Sequence, residues 1–162
     1  MIIRQATAQE MLNLWGCGET EALPPTAQFF FDNLTSGNGE FWAVEDGGAL
    51  VGELYVFRKL PDPDFADGAQ RAYLCAFRMK EGYQGQGLGS RLLETVLGRL
   101  RDEGIALGTI GVETTNEAAL RLYRRFGFDT KIKDCHVDPC WLDDAGVPRA
   151  CPCFHLLSKQ LR

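Results

Sequence analysis

"GYQGQGLGSRLL", Gly82 to Leu93, places four glycines within eight residues and then enters a run whose apolar residues recur at helical spacing. Glycines this dense serve the backbone, because they admit positive φ and let another molecule approach the main chain closely. Upstream, "RAYLCAFRM" (Arg71 to Met79) reads as a mostly apolar strand that ends just before the first glycine. Downstream, Leu88, Leu92, Leu93, Val96, Leu97 and Leu100 mark one face of a helix, and Gly104 supplies its stop. A strand, a glycine loop and a helix in that order aim backbone N–H groups and the helix's positive end at one point, which suits an anion, above all a pyrophosphate. The same glycines also read as a tight strand-to-helix turn without a guest. Two common phosphate cradles do not fit. A Walker loop needs Lys followed by Ser or Thr where this chain has Ser90-Arg91, and a dinucleotide fingerprint needs a glycine where it has Ser90.

Outward from this stretch the chain alternates strands and helices. Met1 to Gln5 reads as a strand, and Thr7 with Glu10 as the capping box of a helix carrying Met11, Leu12, Leu14 and Trp15. A second helix begins near Pro25 with Phe29, Phe30 and Leu34. "EFWAVEDGGALVGELYVFRKL" reads as two strands joined at Asp46-Gly47-Gly48, and "LPDPDFADG" as a loop. "LGTIGVE" is a strand, Thr114 with Glu117 a second capping-box pattern, and "EAALRLYRRFGF" a helix closing at Gly127. "TKIKDCHV" and "CFHLLSKQ" form a last strand pair around a turn-rich stretch containing "DDAG". The order predicts one domain over residues 1–162, an α/β (α+β) sandwich with a mixed seven-stranded sheet and four helices.

Composition narrows the function classes. At 45% hydrophobic and 24% charged, 162 residues supply one sizeable core. A net charge of −5 argues against a nucleic-acid partner, which needs clustered Lys and Arg, and favours a cationic or small neutral one. "MIIRQATAQEM" lacks the layout of a secretory signal, and no apolar run approaches the roughly 18 residues of a membrane span, so a cytoplasmic protein without a membrane partner is expected. In that compartment Cys17, Cys75, Cys135, Cys140, Cys151 and Cys153 are reduced thiols. Cys135, His136, Cys140, Cys151, Cys153 and His155 would be enough ligands for zinc. Their spacing lacks a C-x-x-C knuckle, and strand alternation puts Cys135 and His136 on opposite faces, so no metal is expected.

"YQGQGLG" followed about thirty residues later by "NEAALRLYRRFGF" (Asn116 to Phe128) resembles the GCN5-related N-acetyltransferase (GNAT) superfamily. The motif match runs from about Leu74 to Phe128, and the order of elements agrees over nearly the whole chain. The resemblance implies central parallel strands, the fourth and fifth, that splay apart to admit the pantetheine arm of acetyl-CoA as an extra strand. Phe77 and Met79 would then offer backbone groups to that arm. Gln84, Gly85, Gln86, Gly87, Leu88, Gly89 and Ser90 would form the pyrophosphate loop, and Asn116 and Tyr123 would reach the cofactor from the far side.

The implied chemistry is direct acetyl transfer from acetyl-CoA to a primary amine, small-molecule or peptide, in a chain that is a possible homodimer. The amine must lose a proton, the oxyanion needs a donor such as the backbone N–H near Phe77 or Met79, and the leaving thiolate needs an acid. Tyr123 matches the family's acid, although Ala119, Leu122, Tyr123 and Phe126 also share one helical face that reads as core. Where members of the family carry a glutamate on the fourth or fifth strand, this chain has Tyr73 and Gly111. Glu53, set in the apolar run "ALVGELYVF", and Glu113, at the end of the fifth strand, are the candidate bases; a solvent-facing strand residue and a helix-dipole charge are their plain alternatives. Cys75 reads as inert packing. The aspartates of "PDPDFADG" could draw a cationic acceptor or form a solvated loop. The missing family glutamates leave open a non-catalytic acyl-CoA sensor.

Overall fold

The computed structural model describes residues 1–18 and 22–162. It runs β1 (Ile2–Ala6), α1 (Ala8–Leu14), α2 (Pro25–Ser36), β2 (Gly39–Asp46), β3 (Ala49–Phe57), β4 (Arg71–Met79), α3 (Leu88–Asp102), β5 (Leu107–Glu113), α4 (Glu117–Arg125), β6 (Thr130–Leu142) and β7 (Pro148–Gln160). The strands form one seven-stranded sheet in the order β1-β2-β3-β4-β5-β7-β6, antiparallel except for the parallel pair β4–β5. No helix among the described residues is long and apolar enough to cross a membrane.

The sheet's irregularities locate the site. Parallel pairing of β4 and β5 runs from Arg71↔Leu107 to Leu74↔Ile110 and stops, although both strands continue. On its other side β4 carries a bulge: Glu53 faces Arg78 and Tyr55 faces Cys75, so two steps of β3 oppose three of β4. Inside it, Ala76 has φ 50°, a left-handed conformation costing about 1–2 kcal/mol for a residue with a Cβ. The bend and the parting of the strands thus fall at one level of the sheet.

Each face of the sheet carries its own core. Under α3 and α4 it is mainly aliphatic, with Leu54, Leu74, Leu92, Leu93, Val96 and Ile110 all nearly or fully buried. Under α1 and α2 it is aromatic: Phe30, Phe41, Tyr55, Phe57, Phe65, Tyr73 and Phe154 interlock, with Phe41 stacked on Tyr55 at 4.7 Å and Phe30 edge-on to Tyr55 at 5.1 Å. The Thr7–Glu10 capping box forms as expected.

Two expectations need correction. The second capping box does not form: α4 starts at Glu117 behind the N-cap Asn116, whose Oδ1 accepts from the Ala119 N–H at 3.1 Å. Thr114 lies too early, its N–H bonded to the Cys153 carbonyl of β7. The last two strands reach 13 residues each, longer than the sequence implied. Two prolines are absorbed where pairing is interrupted: Pro139 lies in the Asp138/Leu142 register shift of the edge strand β6, and Pro152 opposite the Cys135/Val137 shift.

Candidate active site

A cleft of about 530 Å³ opens between the end of β4, the loop before α3, and α4. Phe77 and Met79 line it from β4, Gln84, Gly85, Gly87, Gly89 and Ser90 from the loop and first helical turn, and Asn116 and Tyr123 from the opposite wall. Gly85 (φ 74°) and Gly87 (φ 77°) hold left-handed conformations, and a Cβ on either would project into open space. Gly89 is small for another reason, since a Cβ there would come within 3.3 Å of the Phe77 ring. No described residue accepts a hydrogen bond from the backbone N–H groups of Gly85, Gln86, Gly87, Gly89 or Ser90, so the positive end of α3 faces the cleft unsatisfied.

The loop glutamines also brace the loop. Gln84 Nε2 donates to the Met79 carbonyl at 3.1 Å and Gln86 Nε2 to the Gly82 carbonyl at 2.9 Å, so both amides brace the loop's own backbone. The Leu88 side chain turns into the core. Tyr83, unremarked in the sequence, ties the loop to the β2–β3 hairpin through a 2.7 Å bond from its hydroxyl to Asp46 Oδ2, and Arg125 lines the cleft from α4.

Tyr123 serves core and cleft together. Only 8% exposed, it packs edge-on to Phe128 at 6.1 Å while lining the cleft, and no described residue bonds its hydroxyl. Burial pushes its pKa up to about 12, so it carries its proton at neutral pH. Asn116 combines its capping bond with a place on the cleft wall.

On the sheet's other face a second cleft, about 490 Å³, is lined by Trp15, Glu53, Arg78, Met79, Lys80 and Trp141, among others, and shares Met79 with the first. Glu53 is 8% exposed, and its Oε1 receives three donors: Trp15 Nε1 at 2.8 Å, Tyr55 hydroxyl at 2.9 Å and Arg78 at 3.2 Å. Its Oε2 takes none from the described residues. Arg78 also lies 5.5 Å over the Trp15 ring, and Trp141 arrives from β6 across the chain. Trp15 and Trp141 gave no local signal in the sequence, because nothing short of the fold brings residues 15, 53, 78 and 141 together. Glu113 lies apart from this group, exposed on a smaller pocket where β5 leaves β4.

The acidic loop before β4 is occupied by internal contacts. Asp62 and Asp64 meet Lys133 at 2.6 and 3.1 Å, and Asp67 Oδ1 accepts from the N–H groups of Ala69, Gln70 and Arg71. It lines neither cleft. In the tail, Cys135 is buried and His136 exposed, and His155 Nδ1 pairs with Asp134 at 2.6 Å. No three His, Cys, Asp or Glu side chains among the described residues are placed to hold a metal ion.

Comparison with known proteins follows the same geometry. Residues 7–128 match the model of the acetyltransferase (GNAT) family. The N-alpha-acetyltransferase RimI of Mycobacterium tuberculosis is 33% identical over 120 residues, covering 69% of this chain and 70% of that protein. Rat N-acetyltransferase 8 is 30% identical over 132 residues, 81% of this chain and 56% of the relative; for rat N-acetyltransferase 8F1 the chain spans 41% of the relative. Among solved structures, yncA of Salmonella typhimurium, a putative acetyltransferase with its cofactor acetyl-CoA, superposes with a TM-score of 0.69 at 17% identity, covering 100% of this chain and 94% of that one. The ribosomal-protein-S18-alanine N-acetyltransferase of Escherichia coli gives 0.67 at 16% identity, covering 99% and 94%.

Proposed function

The chain belongs to the GNAT acetyltransferase family, and from that premise we propose that it transfers an acetyl group from acetyl-CoA to a primary amine. The observation that carries this reading is the first cleft, where the unpaired edge of β4, a glycine loop with free N–H groups and a buried, protonated tyrosine converge from separate elements. These features fit acetyl-CoA. The N–H groups from Gly85 to Ser90 would hold its pyrophosphate, the β4 backbone at Phe77 and Met79 its pantetheine arm, and Asn116 the far side of that arm. The cosubstrate supplies the thioester carbonyl that the amine attacks.

The chain's own groups supply the rest. A backbone N–H at the bulged end of β4, near Phe77 or Met79, stabilises the oxyanion. Tyr123 donates its phenolic proton to the departing sulfur, and its pKa of about 12 keeps it loaded throughout the physiological range. The acceptor enters from the opposite face, where two carboxylates face its ammonium: Glu53 on the second cleft and Glu113 on the smaller pocket where β5 leaves β4. RimI is named as an N-alpha-acetyltransferase and the Escherichia coli enzyme for an alanine of ribosomal protein S18, which favours a peptide amine. Free cysteines suit a reducing, cytoplasmic compartment.

Calorimetric titration with acetyl-CoA tests the reading, with ATP and NAD as controls. Micromolar binding of acetyl-CoA alone is expected; a folded protein that ignores acetyl-CoA would overturn it.

A further inference from the structure

The point where β4 and β5 part carries a second polar group of residues. A pocket of about 190 Å³ is lined there by Tyr73 of β4, Gly111 and Glu113 of β5, Asp138 of β6, and Cys151 and Phe154 of β7. Tyr73 is 3% exposed and lines this pocket, and no described residue bonds its hydroxyl, which leaves it free to bond a ligand or water there. Gly111 makes the room: a Cβ there would lie 3.3 Å from that hydroxyl and 3.0 Å from the Phe154 ring. Asp138 is half-buried. Its Oδ1 accepts the Cys140 N–H at 2.9 Å, and no described residue donates to Oδ2.

The surroundings keep the site simple. Cys75 of β4, Cys135 and Cys140 of β6 and Cys151 of β7 are the thiols nearby, and burial raises the pKa values of Cys135, Cys140 and Cys151. Tyr73 is likewise pushed up, by burial first and by Asp138 second. Arg149, the cross-strand partner of Asp138, is exposed and makes no ion pair with it among the described residues. Of the pocket's carboxylates, Glu113 faces solvent whereas Asp138 sits beside the unpartnered tyrosine.

We propose that Asp138 accepts the protons of the attacking amine, with the Tyr73 hydroxyl positioning the amine or a relaying water; this rests on the acetyltransferase reading above. As the carbon–nitrogen bond forms and the carbon–sulfur bond breaks, both protons lost by the ammonium leave through Asp138 to solvent. Tyr123 gives one proton to sulfur and recovers one from solvent, so one proton is released per acetyl group. Burial raises the Asp138 pKa, which brings its proton affinity closer to what a base near neutrality requires.

The test is the pH dependence of kcat/KM for Asp138→Asn, Asp138→Ala and Tyr73→Phe. The acceptor is whichever member of a fixed panel the wild type acetylates: an alanine-terminated peptide, an N-blocked lysine peptide, spermidine or glucosamine. Asp138→Asn keeps an acceptor for the Cys140 N–H. It is expected to lose on the order of 100-fold or more and its acidic limb, with acetyl-CoA affinity unchanged. Formate is expected to restore part of the rate of Asp138→Ala. Tyr73→Phe is expected to lose about tenfold while keeping the limb, less than a full acid–base contribution. An Asp138→Asn variant with near wild-type rate and an intact acidic limb overturns the base alone. A wild type that acetylates no panel member overturns the acetyltransferase reading and the base with it.

Discussion

The two faces of the sheet are built by different means. The α3/α4 face presents chiefly backbone, in the N–H groups of one short loop and the edge of one strand, over an aliphatic core. The α1/α2 face offers side chains drawn from residues 15, 53, 73, 78, 138 and 141, over an aromatic core. A backbone site is written in contiguous sequence because glycine positions set its shape. A side-chain site is written only in the fold, and its residues can change without disturbing the cofactor half.

The largest effect is expected from the aromatic core. Phe30→Ala, which empties a fully buried position under α2, should cost about 3–5 kcal/mol in urea unfolding. A loss below about 1 kcal/mol would mean that this face is not the separate, tightly packed core described here.

Gly87→Val sharpens the comparison from the other side. It forces a β-branched residue to φ 77° and puts atoms where the pyrophosphate would lie, so acetyl-CoA affinity should fall about 100-fold, or roughly 2.7 kcal/mol. Unchanged affinity by calorimetry would remove the loop from the binding site.

Tyr123→Phe should lower kcat by about 30-fold, near the low end for a general acid, with acetyl-CoA affinity intact. Since burial raises this pKa to about 12, the hydroxyl stays protonated as pH rises to about 10, and no basic limb from it should appear below that point. Full turnover in the variant when chemistry is rate-limiting would end the proposed acid role. On the acceptor face, Glu53→Gln keeps the shape of the carboxylate but loses the charge that faces Arg78 and the incoming amine. Acceptor KM should rise about tenfold with acetyl-CoA KM unchanged, an effect of about 1.4 kcal/mol. The smallest effect belongs to Asn116→Ala, which removes the α4 cap and should cost about 1 kcal/mol of stability by thermal melting.

Around the first cleft the elements were legible: strand Arg71–Met79 and the helix beginning at Leu88 were read with those limits, and nine of the residues expected at the cofactor line one cleft. What misled there was local. Thr114 read as a cap although its N–H belongs to β7. On the other face, Glu53 was singled out because a carboxylate in an apolar strand is conspicuous, and it lines the second cleft. Trp15, Arg78, Trp141 and Asp138, which line the pockets of that face, were not singled out, because each has an ordinary neighbourhood in sequence.

By itself the sequence determined the order of elements and the glycine-rich turn into α3, since turn chemistry, periodicity and backbone conformation act over a few residues; the parallel pair at the centre of the sheet was implied only by the resemblance to the GNAT family. Tertiary structure alone decided the end of β4–β5 pairing after Leu74 and Ile110, the bulge at Ala76, and the meeting of Tyr73 with Asp138 across 65 positions. Those features arise from strands pairing across the sheet and from side chains filling the space that Gly111 leaves, forces that have no short-range signature in the chain.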